Sequence, residues 1–348
     1  MTQAANLGAL GTNVNSSGIA QAAGGGTAGT AGVTGFKNRL INGAMTIDQR
    51  NAGASVTVNT VGVYAVDRWA CVARPSGGGV YSAQQVSDAP TGFSNSLKFT
   101  VTTVDTSLGT SDYYFAWQKI EGFNTADLSF GTASAKTVTL SFWVKSSITG
   151  QFSAFLTNSS EVYSQPSAYT VNAANTWEFK TLTFTGPTAG TWIGATNGVG
   201  LIAGFGLANG TSLQGTSGVW TASSVYGSTG DVNWMATNGN TWQVTGVQLE
   251  VGTAATNFDV RSYGTELALC QRYFAVTAAI LYGSISGAAG QGAVNWFYKS
   301  TMRTAPTVTG NAATTVVTST ADFAAGLTNN TGGFYASFAS GSTASAEL

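Results

Sequence analysis

"TVTLSFWVKSS", Thr137–Ser147, alternates without a break. Val138, Leu140, Phe142 and Val144 occupy one parity; Thr139, Ser141, Trp143 and Lys145 occupy the other. Successive side chains of a strand point to opposite faces, so this spacing predicts a strand with one face on a core. The same period runs outward in both directions. "SLKFTVTTV" sets Leu97, Phe99 and Val101 against Lys98, Thr100 and Thr102, and "SVTVNTVGVYAV" sets Val56 and Val58 against Ser55, Thr57 and Asn59. "TWEFKTLTFTG" and "LIAGFGLANG" follow, and turn clusters such as "RPSGGG", "DAPTG", "ATNGVG" and "TNGN" separate the runs. Many short strands joined by Gly/Asn turns predict an all-β sandwich or barrel.

Two irregularities refine this. In "TWQVTGVQLEVG", Trp242 and Val244 share one parity while Val247, Leu249 and Val251 share the other, and the change falls at Gly246. A bulge there keeps both sets on the buried face and predicts a central strand. In "RSYGTELALCQRYF", Leu267, Cys270 and Phe274 recur at helical spacing, with Thr265 as the expected N-cap and Glu266 in the first turn. This one helix separates the sandwich from a β-rich end, Ala275–Leu348.

Composition narrows the function. Of 348 residues 8% are charged, with a net charge of −1, against roughly 25% charged in ordinary soluble domains. No basic patch is available for a phosphate backbone, which argues against nucleic acid. Histidine is absent, so His-based nucleophile activation, general bases and metal ligation are excluded. Cys71 and Cys270 stand far apart and are expected to be buried free thiols. No secretory signal and no stretch of ~20 apolar residues is present, so a cytosolic origin without membrane insertion is expected. Met1–Phe36 carries no charge, and Gly26, Gly29, Gly32 and Gly35 recur at every third position. A flexible Gly/Ala/Thr spacer is the expectation for it. Charge begins abruptly at Lys37, with Arg39, Asp48 and Arg50 soon after. These, with Asp67 and Arg68, are expected to be structural ion-pairing residues.

"NRLINGAMTIDQRNAG", "YAVDRWA", "VTGVQLEVGTAATNFDVRSYGTELALCQRYF" and "MRTAPTVT" together resemble bacteriophage tail fibre and receptor-binding proteins. The stretch from "LKFTVTT" through "WQKIEG" and "TVTLSFWVKSS" to "VTGVQLEVG" also resembles jelly-roll carbohydrate-binding modules. The resemblance implies a virion-borne homotrimer, located in the tail, that adsorbs to a host surface glycan such as lipopolysaccharide or capsule. It brings no catalytic residues. On it, residues 1–36 are the virion-attachment leader held by a baseplate or tail protein, 37–260 the jelly-roll carbohydrate-binding-like domain, and 261–348 the helix with a C-terminal β domain. Alternatives are a polysaccharide-depolymerising tailspike and a carbohydrate-binding module of a secreted enzyme.

Glycoside hydrolysis needs two facing carboxylates. Glu121, Glu178, Glu250, Asp112 and Asp231 are available, but no motif forces a pair together, and Glu250 is expected to be a surface or interface charge. No enzyme activity, metal site or cofactor is expected. Sugar binding uses aromatic faces against the apolar side of pyranose rings, with Asn, Gln and Asp side chains for the hydroxyls. The candidates are Trp143, on the polar parity beside Lys145, and Trp220, Tyr226 and Trp234 in the long stretch "GVWTASSVYGSTGDVNWMATNGN". "SDYYFAWQKIEG" places Tyr113, Phe115 and Trp117 on one parity, and one of that strand's two faces must be core.

Overall fold

The computed structural model describes residues 37–277, 281–284, 291–309, 315–329, 335–338 and 341–348. The expected leader, Met1–Phe36, lies outside the described residues.

The architecture is a jelly-roll β-sandwich of two six-stranded sheets. The first runs β1 (Val56–Val58), β4 (Val80–Val86), β5 (Ser96–Thr103), β14 (Thr241–Val251), β7 (Val138–Ser146), β10 (Glu178–Phe184). The second runs β2 (Val63–Val66), β3 (Trp69–Arg74), β6 (Tyr113–Glu121), β11 (Val199–Asn209), β8 (Gly150–Thr157), β9 (Ser164–Val171). Every neighbouring pair in both sheets is antiparallel, while β12 (Gln214–Gly215) and β13 (Gly227–Ser228) form a separate short parallel pair. Strands consecutive in sequence often lie in opposite sheets, so the loops joining them close the ends of the sandwich.

The alternation is realised. Val138, Leu140, Phe142 and Val144 are buried in the core between the sheets, with Leu97, Phe99 and Val101 beside them. β14 lies between β5 and β7, in the middle of the first sheet. Its register slips between Thr245 and Gln248, and Gly246 takes φ +62°. Trp242, Val244, Val247 and Leu249 all face the core as a result. Val251, at the strand end, is exposed instead.

The charged segment after Lys37 clamps the sandwich. The Asn38 side chain donates to Val247 O at 2.9 Å and accepts from Leu249 N at 3.1 Å, binding the central strand of the first sheet. Gln118 on β6 exchanges two hydrogen bonds of 2.7 Å with the Ile41 backbone, binding the second. Asn42 donates to Ile47 O and Asp67 O, and its own carbonyl accepts from the Trp69 indole. Arg39 meets Asp127 through two bonds of 2.8 Å. Asp48 accepts from the backbone N–H groups of Arg50, Asn51 and Gly53 and shapes the turn.

Helix α1 spans Tyr263–Gln271. Its N-cap is Ser262, whose hydroxyl accepts from Thr265 N. That corrects the expected Thr265 cap: the helix starts one turn earlier, and Phe274 leaves it to open a strand, Phe274–Val276. Glu266 does fall in the first turn. The chain end adds small antiparallel sheets, including Phe274–Val276 with Thr343–Ser345 and Thr307–Thr309. Asn38–Leu348 forms one compact unit, and the change from sandwich to small sheets falls inside it. Cys71 and Cys270 are buried and free.

Two predictions follow from this packing. A Cβ on Gly246 would lie 2.6 Å from the Phe93 ring at a left-handed φ, so Gly246→Ala should lower the urea-measured stability by about 1–3 kcal/mol. Burial raises the carboxyl of Asp67 to about 6, against the opposing pull of Gln49 and Arg50. A folded pKa above the unfolded value favours folding below pH ~4 and loses that contribution as pH rises through ~6. Asp67→Asn should therefore gain stability relative to wild type between pH 4 and 7, on the order of 2–3 kcal/mol, read from urea midpoints across that range.

Candidate functional site

Trp143 stands on the non-core face of β7, half-buried, opposite Phe179 of β10. The two rings lie 5.4 Å apart at 51°, and Phe179 is 48% exposed. Beside them runs a groove of about 340 Å³ lined by Phe93, Ser141, Gly246, Thr256, Asn257 and Phe258 together with the two rings. Phe93 and Phe258 meet edge to face at 5.1 Å and form the far wall.

The local sequence explains why the groove is there. The bulge that keeps β14 in register for the core leaves Gly246 without a side chain on the outer face, and Phe93 packs onto that gap. The wall that carries Phe258 is tied down by two buried polar side chains. Glu250 accepts from Thr256 N at 2.8 Å and from Thr256 Oγ1 at 2.6 Å, and Gln248 Oε1 accepts from Asp259 N at 2.7 Å. Glu250 is only 3% exposed, so the expected surface charge is a buried loop anchor; the bulge turns its side chain toward the returning segment.

Farther along the same face, Asp88 accepts from Lys145 Nζ at 2.6 Å and from the Trp177 indole at 3.2 Å. The Lys145 hydrogen bond holds the Asp88 carboxyl below its ordinary range. The non-core face thus carries Trp143, Phe179 and Trp177 in a field of neutral or charge-compensated polar groups. Phe179 and Trp177 were legible by the signal that marks Trp143, an aromatic on the parity opposite Leu182 and Phe184.

The other three candidates do not join this groove. Trp220 is half-buried; its indole donates to Thr185 O at 2.8 Å, and its ring stacks on Tyr163 at 5.7 Å and 9°. Tyr226 and Trp234 are corrections. Tyr226 is 5% exposed and Trp234 is 0% exposed. The Gly218–Asn240 stretch does not stand away from the body as a ligand loop. It folds back over the outer face of the second sheet, where Phe115, Phe155 and Ile202 project, and Tyr226 caps them as part of a second small core. The Tyr226 hydroxyl donates to Glu161 at 2.8 Å. Trp234 packs edge-on against Tyr81 at 5.8 Å in the main core. On β6, Tyr114 and Ala116 face the main core, while Phe115 is buried under the returning loop and Tyr113 and Trp117 are half-exposed.

Each carboxylate considered for hydrolysis has a structural partner. Glu121 is buried and bound by Arg272 through bonds of 2.8 and 2.9 Å. Burial works against its ionisation, but the Arg272 hydrogen bonds prevail and hold it below its ordinary range. Asp112 accepts from Ser76 and Gly109, and Asp231 from Gln151 and Ser228. Glu178 accepts from Asn172, Ala173 and Lys180 and lies at about 2: some burial opposes ionisation, and these hydrogen bonds outweigh it. Among the described residues no group of three or more acidic or thiol side chains is placed to hold a metal ion.

No family profile matches the chain, and no curated protein matches it. Solved structures do. The enzymatically active domain of bacteriophage CBA120 tailspike protein 4 is 13% identical over 62% of this chain, with a TM-score of 0.35, and only 22% of the tailspike domain's own length is covered. The CBM22-1 xylan-binding domain of Paenibacillus barcinonensis Xyn10C is 12% identical over 59% of this chain and 99% of its own, TM-score 0.28. A family 11 carbohydrate-binding module of Clostridium thermocellum is 14% identical over 59% of this chain and 99% of its own, TM-score 0.29.

Substitutions should sort the aromatics by role. Trp234→Ala should cost about 3–5 kcal/mol, as for a large buried ring. Trp143→Ala should cost no more than about 1–2 kcal/mol, since part of its ring is already in water. Chemical denaturation of the two variants beside wild type checks both figures.

Proposed function

We propose that this chain is a non-enzymatic receptor-binding protein of a phage tail, and that it adsorbs to a neutral part of a host surface glycan through the Trp143–Phe179 groove. The observation that carries the binding role is an aromatic pair on a sheet face, Trp143 half-buried and Phe179 exposed, walled by Phe93 and Phe258 and bordered by Asn257, Thr256 and Ser141. Pyranose rings present apolar C–H faces and a rim of hydroxyls, and that combination meets both requirements. The tail assignment rests on the sequence resemblance. In this reading three chains associate, the uncharged leader engages a baseplate or tail protein, and the body is carried on the virion. Three weak sites on one rigid body then reach useful avidity without any single tight site.

The test is adsorption to host cells and binding to a glycan array. Trp143→Ala with Phe179→Ala should reduce binding by roughly tenfold or more, as for a truncated aromatic anchor, with the circular dichroism spectrum unchanged. Undiminished binding by that folded double variant would overturn the groove. Release of short oligosaccharides from host polysaccharide by the wild-type protein would instead place the chain among depolymerising tailspikes.

A further inference from the structure

A second cavity, of about 410 Å³, opens between the β6–β7 and β10–β11 connections, at an end of the sandwich. Its lining is Trp192, Phe130 and Ile193 on the apolar side and Thr125, Ser129, Thr132 and Ser134 on the polar side, with glycine and alanine backbone between them. Among the described residues, no charged side chain lines it.

The half-exposed indole of Trp192 is held by three contacts. Its N–H donates to Ala189 O at 3.0 Å. Phe130 meets it edge to face at 5.0 Å, and Trp220 crosses it at 87° with centroids 5.7 Å apart. Trp220 is itself pinned by its bond to Thr185 O and its stack on Tyr163. The backbone also yields to the ring. Gly131 and Gly190 have φ +83° and +90°, and a Cβ on either would lie 2.8 Å from Trp192 Cδ1 or 3.0 Å from its Nε1. Ser129, across the cavity, adopts φ +55°, an uncommon state for a residue with a side chain.

We infer that this cavity is a second saccharide site, separate from the Trp143 groove, that takes one neutral pyranose ring. The Trp192 indole supplies the flat apolar platform. The hydroxyls of Ser129 and Ser134 are neutral partners for sugar hydroxyls, Thr132 Oγ1 being engaged with Ser129 O at 2.7 Å and Ser134 N at 3.2 Å, and a lining without charge offers nothing to compensate a carboxylate or an ammonium group. The volume lies in the range of small-molecule clefts. The site stands on its own geometry and does not depend on the Trp143 reading.

The two sites can be read separately in one experiment. The full chain is labelled with 5-fluorotryptophan, and the signals of its nine tryptophans are assigned by single Trp→Phe variants. Glucose, galactose, mannose and N-acetylglucosamine are then titrated separately to about 100 mM, which covers sites of millimolar affinity. The Trp192 signal should shift and saturate with at least one sugar. Ser129→Ala with Ser134→Ala should weaken that saturation by about 2- to 10-fold, the value of a neutral hydrogen bond or two. A Trp192 signal that stays still, or drifts linearly without saturating, for all four sugars overturns the site. A response at Trp143 alone sinks this inference and leaves the groove standing; a response at Trp192 alone does the reverse.

Discussion

Glu347, one residue from the chain end, lies between Arg50 and Arg68. Its carboxylate bonds Arg50 Nη2 at 2.7 Å and also pairs with Arg68 Nη1. Arg68 is 3% exposed, and the rest of the fold is organised around this junction. Arg50 stacks its guanidinium on Phe274 at 3.5 Å, and Arg68 on Tyr273 at 3.5 Å. Arg272 binds Glu121, and Arg303 donates to the carbonyls of Ala346 and Glu347. The opening segment, the second sheet, the helix end and the C-terminal tail thereby meet at one charged point. Buried ion pairs of this kind add little net stability against an apolar replacement, but removing one partner leaves a stranded charge. Their role here is register: Arg50 and Arg68 share the Glu347 carboxylate, and each lies on an aromatic ring.

That junction accounts for the unusual charge economy of the chain. Few residues are charged, and many of those are turned inward or paired. Asp67, Arg68, Glu121, Glu250 and Glu266 are all buried. The outer face of the first sheet carries aromatics and neutral polar groups beside paired charges such as Lys145–Asp88 and Lys180–Glu178. Within the sandwich the described aromatic residues include rings in the main core such as Trp69, Trp234 and Trp242, rings under the returning loop such as Phe115 and Tyr226, and rings facing outward such as Trp143, Phe179 and Trp192.

Much of this division was legible. Trp143 sits on the parity opposite Leu140 and Phe142, and a strand offers only two faces, so its outward direction follows from its neighbours. The Gly246 bulge was legible for the same reason, because only a bulge lets Trp242 and Leu249 share a face. The caps and loops were less so. Ser262 and Thr265 both suit an N-cap, and the helix start is settled where Arg261 and Glu266 dock against Asn38 and Asn42. Tyr226 and Trp234 lie in a Gly/Ser/Asn-rich stretch with no period, and such composition reports conformational freedom without reporting what the loop covers. Trp192 lies in "TWIGATNG", which has the composition of a turn. Its signal was a bulky indole close to Gly190 and Gly194.

By itself the sequence determined the all-β class, the inward and outward parity of the strands, the central place of Thr241–Val251 and the absence of histidine chemistry. These depend on periodicity and composition, which local covalent geometry translates directly into strand faces. Only the tertiary structure decided which outward aromatics stay in water, which carboxylates become buried anchors, and where two loops meet to leave a cavity beside Trp192. Those outcomes turn on contacts between residues tens to hundreds of positions apart. A loop's burial is set by the surface it happens to fold onto, and that surface exists only after both sheets have formed.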